Sequence, residues 1–467
     1  MFKISKFVQS LGIACFTVLF LGNVLGLDSE DQSTKLNSIS NHPIIESCFP
    51  YLAGTPDQST MLVQPLKSIS KEVPLTNKTY ILPATPATTQ WGYFDKGQLP
   101  VLKINPGDTV VIETLTAADN QVVPGLTIDK LAKISSAVPG RGPHTVTGPI
   151  YVNGAEPGDV LKIHLDKIIP RSYASNNSLP GKGLLPKQFP RGQVRYFYLD
   201  LAKMQMQFAP GIIIPLHPFP GLIAVSRAES GKFNTDPPGP FGGNMDLPPL
   251  TQGSTLYLPV FTKGALIWTG DSHAGQGNGE IDLTAIETAF QNFTITVNLI
   301  KNKSLKWPRV ETSDAWVTVG YDKDLNQALN ILKDETIRFL MEQRKLSKDQ
   351  AETTMLKIWN CPISEVVNGV QGVYCIIPKN IHAKSPLLPS DDNATYFVTY
   401  AKNSDLEEAM RSASMEMIDK ISRAKSLAPV DAYVLASLTM DCRISPYSGG
   451  EKEVHCMLPK DLWESNF

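Results

Sequence analysis

Short apolar stretches separated by turn-forming residues dominate the chain between about residues 80 and 300. Residues 109–114 and 160–165 are typical: both are rich in β-branched side chains and are bounded by Gly, Pro, Asn or Asp. Such runs predict short strands joined by tight turns. Two turns, at residues 105–108 and 156–159, have the form Pro-Gly-Asp before a strand, and the Asp is expected to bond its own backbone. The pattern predicts a mainly β core, sandwich-like or barrel-like, over residues 76–312.

The periodicity changes to a helical one after about residue 310. Residues 324–341 carry apolar side chains at helical spacing, and Ser347 with Gln350 forms a capping-box pattern that predicts a second helix. The same unit then recurs at a constant offset of 81 positions, which aligns Asp324 with Asp405. This recurrence predicts a C-terminal α+β module in two tandem copies, at residues 313–382 and 393–467.

Each predicted copy contains two cysteines, 14 positions apart. Cys361 and Cys375 lie in the first copy, and Cys442 and Cys456 occupy the matching positions of the second. We expect one disulfide within each copy, with Cys48 as a leftover thiol. Crossed pairing and free thiols remain alternatives, because sequence alone does not give connectivity. A bridged pair requires Cα atoms within about 7 Å.

The beginning of the chain has the pattern of a secretory signal peptide. Lys3 and Lys6 precede an apolar run over residues 7–25, and a polar stretch follows. Residues 1–26 are therefore predicted to be a signal peptide, with an uncleaved membrane anchor as the alternative. Residues 27–75 are rich in polar side chains and predict a flexible leader. We expect a secreted or periplasmic protein that does not contact a membrane after cleavage.

The charge balance argues against a polyanionic partner. The chain has 43 Lys and Arg against 45 Asp and Glu, which gives a formal net charge of −2 without basic clusters. Nucleic-acid binding depends on concentrated positive charge. We therefore expect no nucleic-acid partner.

The segment from residue 270 to residue 280 has the composition of a catalytic loop. Asp271, His273, Gln276 and Glu280 lie there among four glycines, directly after an apolar strand. An Asp-x-His pair at a strand end points both side chains to one face, which suits a divalent metal. Glu280 lies far enough along to act as a general base on water. The alternative is a plain glycine-rich turn, because a short motif of this kind is a weak indicator by itself.

Several ordered runs, read together, resemble the acetamidase/formamidase family. The resemblance covers about residues 80–380. It rests on residues 106–110, 148–150, 154–159, 217–219, 242–246, 253–260, 270–280, 284–287 and 366–370. The resemblance implies a mostly β fold with a smaller α/β part, and hydrolysis of formamide or acetamide with a bound divalent metal.

The resemblance also implies roles for individual residues. Asp246, Asp271 and His273 are the expected metal ligands, with zinc as the expected metal and calcium as the alternative. Glu280 is the expected base. The remaining candidates are Asn244 as oxyanion donor, His144 as a further catalytic residue, and His217, Gln276 and Glu156 as substrate-binding residues. The expected partner is a small amide, and the sequence is compatible with a homo-oligomer.

Some positions depart from the family pattern and keep other functions open. Asn278 stands where the family usually has Asp, and the second module copy is unlike the usual form. One alternative is therefore a secreted binding protein that kept the fold and lost the chemistry. Another is a hydrolase of a larger amide. Nucleophilic catalysis by Ser272 ranks below metal-assisted hydrolysis, because only its neighbour His273 could activate it.

Overall fold

A computed structural model describes residues 77–447 and 449–463 of the chain. The predicted signal peptide, the predicted leader and Cys48 lie outside these residues. Within them the chain forms strands first and a mixture of helices and strands towards the C-terminus. The strands are β1 (Thr79–Leu82), β2 (Thr89–Trp91), β3 (Tyr93–Asp95), β4 (Leu102–Ile104), β5 (Asp108–Ile112), β6 (Thr145–Val152), β7 (Val160–Pro170), β8 (Tyr173–Ser178), β9 (Gln193–Asp200), β10 (Gln205–Ala209), β11 (Ile212–Pro215), β12 (Phe219–Val225), β13 (Lys232–Asn234), β14 (Gly242–Asn244), β15 (Thr255–Pro259), β16 (Ile267–His273), β17 (Glu287–Thr288), β18 (Phe290–Ile300), β19 (Arg309–Glu311), β20 (Ala315–Asp322), β21 (Cys361–Glu365), β22 (Gln371–Pro378), β23 (Tyr396–Asn403), β24 (Asp441–Ile444) and β25 (Lys452–Pro459).

Helices are fewer and concentrate in the C-terminal part. They are α1 (Ala117–Asn120), α2 (Ile128–Ser136), α3 (Leu325–Arg344), α4 (Lys348–Lys357), α5 (Leu406–Lys425) and α6 (Pro429–Thr439). The one-turn α1 is irregular, because Ala118 and Asp119 have φ values of 54° and 58°. No helix in the described ranges has both the length and the apolar character needed to cross a membrane.

Most strands lie in two large sheets. The 12-stranded sheet has the order β1-β5-β18-β7-β15-β19-β20-β22-β21-β24-β25-β23. The 11-stranded sheet follows the path β11-β10-β9-β8-β17-β16-β12-β14, and β6 pairs with β16, β2 and β4 beside it. Ile163 and Ile295 from the first sheet join Ile223 and Trp268 from the second in one buried apolar cluster. The prediction of a mainly β protein is confirmed.

The two Pro-Gly-Asp turns are closed as expected. Asp108 Oδ2 accepts a hydrogen bond from the backbone N–H of Asn105 at 2.8 Å, and Asp159 Oδ2 accepts one from Glu156 at 2.9 Å. Asp159 is buried and also accepts from the backbone N–H of Asn302 at 3.0 Å and from Lys301 Nζ at 2.5 Å. Burial alone would raise the pKa of Asp159, but the Lys301 ammonium and the two N–H groups lower it below its ordinary value.

Replacing Asp159 by asparagine is expected to lower the free energy of unfolding by about 1–2 kcal/mol at pH 7, because a charged acceptor of three hydrogen bonds is lost. A depressed native-state pKa stabilises the fold above the unfolded-state pKa, and the gain disappears as the pH falls through the native value. The deficit of the variant should therefore start to shrink below about pH 4, the ordinary pKa of an aspartate, and should be smaller at pH 3. Urea unfolding at pH 7 and pH 3 measures it. The exposed Asp391→Asn variant is the control, and an equal deficit at both pH values would contradict the assignment.

The C-terminal part consists of two successive runs of elements, and each run has the order strand, helix, helix, strand, strand. The first run is β20, α3, α4, β21 and β22, and the second is β23, α5, α6, β24 and β25. Asp324 caps α3 by accepting from the backbone of Asn326, and Asp405 caps α5 in the same way. The predicted capping box of Ser347 and Gln350 is confirmed at the start of α4.

Two disulfides and one strand pairing hold this part together. Cys361 is bonded to Cys375 and Cys442 to Cys456, each with Cα atoms 4.1 Å apart, so the predicted connectivity is confirmed. Strand β21 pairs with β24 between the two runs, and β19 pairs with β20 at the border of the β core. One continuous sheet therefore passes from the core through both runs.

Candidate functional site

Strand β16 carries the first two candidate ligands on one face. Asp271 and His273 lie two residues apart at its end, as the Asp-x-His pattern predicts. The neighbouring strand β17 places Glu287 directly opposite His273. On the other side, β12 pairs with both β16 and β14, and Asp246 follows the end of β14. Four acidic or imidazole side chains from three strand ends thus converge.

His273 lies at the centre of this group and is fully buried. Its Nε2 atom is 3.1 Å from Asp271 Oδ2, 3.3 Å from Glu287 Oε1 and 3.9 Å from Asp246 Oδ1. A fifth side chain, His144, lies at the edge, with its Nε2 atom 3.6 Å from Asp271 Oδ1. The imidazole nitrogen therefore faces three carboxylates from different parts of the chain.

Gln276 determines which nitrogen of His273 faces the carboxylates. Its amide nitrogen donates to the carbonyl oxygen of Ser364 at 3.1 Å, so its Oε1 atom is directed at His273 Nδ1, 3.0 Å away. That oxygen can only accept, so Nδ1 carries a hydrogen and Nε2 is the nitrogen that faces the cluster, where its lone pair is available to a metal when the ring is neutral. A hydrogen bond of this kind on the far nitrogen is typical of metal-binding histidines.

The donor set fits a divalent cation. Ligand atoms of Asp246, His273 and Glu280 lie within 4.8 Å of one another, and those of Asp271, His273 and Glu287 form a second such group. Buried atoms Asp246 Oδ1 and His273 Nε2 have no hydrogen-bond partner among the described residues. Buried polar atoms without a hydrogen-bond partner are costly, and a bound cation would satisfy both of these.

Backbone geometry also marks this cluster. Asp246, Asp271 and Glu280 have φ values of 43°, 45° and 48°. Residues other than glycine rarely adopt this left-handed backbone conformation. Gly221 lies against the cluster so closely that a Cβ atom there would be 2.5 Å from Asp271 Oδ2 and 2.7 Å from His273 Nε2. Strain of this kind concentrates at functional sites.

Crowded negative charge shapes the electrostatics. Burial raises the pKa of Asp246 to about 7, although His273 counteracts it. Burial, and then the Asp246 carboxylate, raises the pKa of Glu280 well above its ordinary value. Burial would also raise the pKa of Asp271, but His144 and His273 lower it. Burial would lower the pKa of His273, but Glu287 and Asp271 raise it well above its ordinary value. Such a cluster stabilises positive charge.

Two asparagines hold Asp246 in place. Asn244 Nδ2 donates to Asp246 Oδ2 at 3.1 Å, and Asn368 Nδ2 donates to the same oxygen at 2.6 Å. The first was a candidate from the sequence, and the second was not. Asp246 Oδ2 therefore accepts two hydrogen bonds from amide groups. The other oxygen, Oδ1, faces His273.

Two sequence candidates lie elsewhere. His217 is exposed between β11 and β12, and its backbone N–H bonds Ala274. The Glu156 side chain is half-exposed in the turn between β6 and β7, 3.7 Å from Lys263. In the part of the chain that the structure describes, neither residue lines the cavity at the site. The structure brings the other candidates together: His144, Asn244 and Glu280 line the cavity, and Gln276 contacts His273 from behind.

Glu287 and Asn368 were missed as functional residues, although both lie inside runs that the sequence comparison with the family had matched. Nothing in residues 284–287 or 366–370 shows locally that these side chains reach His273 and Asp246. Their positions depend on the β16–β17 register and on the loop after β21.

Asn278 faces away from the cluster, towards the second C-terminal run. Its Nδ2 donates to Asp441 Oδ1 at 2.7 Å, and its Oδ1 accepts from the Tyr374 hydroxyl at 2.8 Å. Next to it, the backbone N–H of Gly277 donates to the carbonyl oxygen of Ser437 at 3.0 Å. The departure from the family pattern therefore has a structural reason: an Asp here would meet the Asp441 carboxylate.

Replacing Asn278 by aspartate is expected to lower the free energy of unfolding by about 1–2 kcal/mol, because a donor becomes a like charge. The double variant Asn278→Asp/Asp441→Asn restores a donor–acceptor pair and should recover most of the loss. Thermal unfolding of both variants measures this. Asn380→Asp, at an exposed turn where the side-chain oxygen only accepts, is the control. Equal stability of the single and double variants would refute the pairing.

Comparison with known proteins agrees with this geometry. The model of the acetamidase/formamidase family matches residues 97–230 and 225–316, which include His144 and the residues from Asp246 to Glu287. The match places the β core of the chain, residues 97–316, in the acetamidase/formamidase family. A Schizosaccharomyces pombe relative named as a formamidase is 27% identical in an alignment over 258 residues that covers 43% of this chain and 61% of that protein. An acetamidase of Mycolicibacterium smegmatis is 26% identical in an alignment over 218 residues that covers 34% of this chain and 54% of that protein.

Solved structures of the family share the fold. The crystal structure of an acetamidase from Bacillus halodurans superimposes with a TM-score of 0.59 at 27% identity, over 64% of this chain and 97% of that one. In the sequence comparisons, by contrast, the chain spans only about 61% and 54% of the two curated relatives. The chain thus shares its fold with an acetamidase of known structure over nearly the whole of that protein.

Proposed function

We propose that the protein hydrolyses linear amides to a carboxylate and ammonia with a bound divalent metal. The observation that carries this proposal is the meeting of Asp246, Asp271, His273 and Glu280 in one buried cluster of a family whose relatives bear the names acetamidase and formamidase. A protein that kept only a binding role would not need these groups in one place, so the convergence argues against that alternative.

Asp246, Asp271 and His273 are the proposed metal ligands. Asp246 and His273 are buried and Asp271 is partly buried, and Gln276 and the two asparagines orient two of the three. One imidazole with carboxylates is a donor set that suits zinc, so we propose zinc ahead of calcium. The metal would polarise the amide carbonyl and make water more acidic.

Glu280 is the proposed base. It is buried beside Asp246 and His273 and lines the cavity, so it can take a proton from a water molecule there and transfer it to the leaving nitrogen. His144, at the edge of the cluster, is placed to bond the substrate, because Thr235 Oγ1 lies 3.2 Å from its Nδ1 atom and orients the ring. Asn244 has a second amide hydrogen beyond the one given to Asp246, and we propose it as an oxyanion donor.

Ammonia release tests the assignment. Purified protein loaded with zinc should release ammonia from formamide, acetamide or propionamide, and chelation should stop the release until zinc is restored. Metal analysis of the same sample should find bound metal at about one per chain. If the metal-loaded protein hydrolyses none of these amides, the proposal is wrong.

We further propose that the protein is secreted or periplasmic. Two disulfides are typical of an oxidising compartment. We also infer that the two C-terminal runs are copies of one module, since their elements, caps and cysteines share one order. A homo-oligomer stays a prediction.

A further inference from the structure

The cavity at the candidate site has two chemically different ends. Asp271 and Glu280 lie at its polar end, together with Asn244. The opposite end is apolar. Its lining side chains are Trp91, Leu115, Val122, Leu131, Ile134 and Val138. Only the polar end is needed for the chemistry proposed above, so the apolar end requires another explanation.

One segment supplies most of the apolar end. Residues 113–144 connect β5 to β6 and contain α1 and α2. Ala118, Val122 and Leu131 form a small buried cluster there, separate from the two main cores, and Ile134 packs on it only partly buried. A separate apolar patch that opens into a cavity is a surface available to a ligand.

This segment is fixed to the rest of the protein rather than free. The backbone N–H of Ala118 donates to Pro143 at 2.7 Å, and that of Asp119 donates to Thr145 Oγ1 at 2.9 Å. The Tyr196 hydroxyl donates to the carbonyl oxygen of Leu126 at 3.0 Å. The first bond closes the segment on itself, and the other two tie it to β6 and β9. The apolar wall therefore exists before a ligand arrives, which lowers the entropic cost of binding.

The cavity is larger than a small amide requires. Its volume is about 320 Å³. Acetamide has four heavy atoms, and at roughly the 30 Å³ that one water takes up in the liquid it would fill only about a third of that space. The remaining volume borders the apolar side chains.

We propose that this apolar end binds the hydrocarbon tail of the substrate, so that the preferred substrate is the amide of a medium-chain aliphatic or arylalkyl acid. The inference rests on the proposed amidase function and specifies its substrate class. The amide group lies at the polar end, and the tail extends towards Leu131 and Ile134. The tail is expected to be uncharged, because the aliphatic side chains that form most of this end offer a charged group no hydrogen-bond partner. The cationic groups of the lining are Arg141, which stacks on Trp91, and Lys182.

A chain-length series tests the inference. The ratio kcat/KM should rise by about fourfold per methylene from acetamide to hexanamide, and phenylacetamide should exceed acetamide by at least tenfold, because each buried methylene adds apolar contact. A flat or falling series with active formamide or acetamide would overturn the inference and leave the amidase proposal standing. A gain confined to tails that end in a carboxylate would also overturn it, since Arg141 and Lys182 would then be the recognising groups.

A pair of variants locates the effect. Ile134→Asp should lower the hexanamide-to-acetamide ratio of kcat/KM about tenfold or more, because a charge replaces apolar wall. Ile381→Asp, at an exposed position outside the cavity, should keep the wild-type ratio. An unchanged ratio in Ile134→Asp would contradict the assignment.

Binding provides a readout that does not need turnover. Hexanoate should bind the zinc-loaded protein at least tenfold more tightly than acetate by calorimetry, and Ile134→Asp should remove the difference. If no amide is hydrolysed, the amidase proposal fails. Equal binding of the two carboxylates would in that case overturn the apolar subsite as well.

Discussion

Replacing His273 by glutamine is expected to abolish both metal binding and amide hydrolysis. His273 Nε2 faces Asp246, Asp271 and Glu287 within 3.9 Å, so the variant removes the one nitrogen donor at the centre of the cluster. A metal contributes several kcal/mol to catalysis, and each 1.36 kcal/mol is tenfold in rate. We expect kcat/KM to fall by about three orders of magnitude or more, and zinc content by elemental analysis to fall to background.

The matched control is His164→Gln on β7. That histidine is partly exposed, lies 3.0 Å from Thr255 and is remote from the cluster. It should retain wild-type zinc content and turnover. Wild-type zinc stoichiometry and activity in His273→Gln would mean that the metal, if there is one, is held elsewhere.

Replacing Gly221 by alanine is expected to have the second-largest effect. An added Cβ would meet Asp271 Oδ2 at 2.5 Å and His273 Nε2 at 2.7 Å, both shorter than any tolerable contact. The side chains would have to move apart, and displacement of about an ångström at a catalytic site costs on the order of a hundredfold in rate. We expect kcat/KM to fall by about two orders of magnitude, with zinc affinity at least tenfold weaker.

Gly450→Ala serves as the comparison, because a Cβ there meets no atom within 4 Å. Circular dichroism should show both variants folded, which separates a local effect from unfolding. If Gly221→Ala binds zinc and turns over amide as the wild type does, the ligands are not arranged around this glycine.

The sequence predicted the parts of the site that are local. The Asp-x-His pair needs only the two-residue period of a strand, and β16 provides it at Asp271 and His273. The Pro-Gly-Asp turns and the capping box are equally local, since each is closed by side chains within three residues. The disulfides were found because the repeat placed equivalent cysteines at one spacing.

The parts that the sequence could not provide depend on pairing between distant strands. Glu287 reaches His273 only through the β16–β17 register, and Asn368 reaches Asp246 across a sequence distance of 122 residues. Conversely, Glu156 lies in a matched run, but that run forms a turn whose side chain points to Lys263. Family resemblance identifies segments, whereas the direction of each side chain follows from long-range packing.

The contact between the 270–280 loop and the second C-terminal run has a consequence for truncation of the chain. Gly277 has its N–H bonded to Ser437, and a Cβ there would be 2.6 Å from the same carbonyl, while Asn278 is bonded to Asp441. The loop that carries Gln276 and Glu280 is thus closed by hydrogen bonds to the second C-terminal run. Deleting that run would leave polar groups of the loop without their partners, so the part of the chain farthest along the sequence helps to hold the loop of the candidate site.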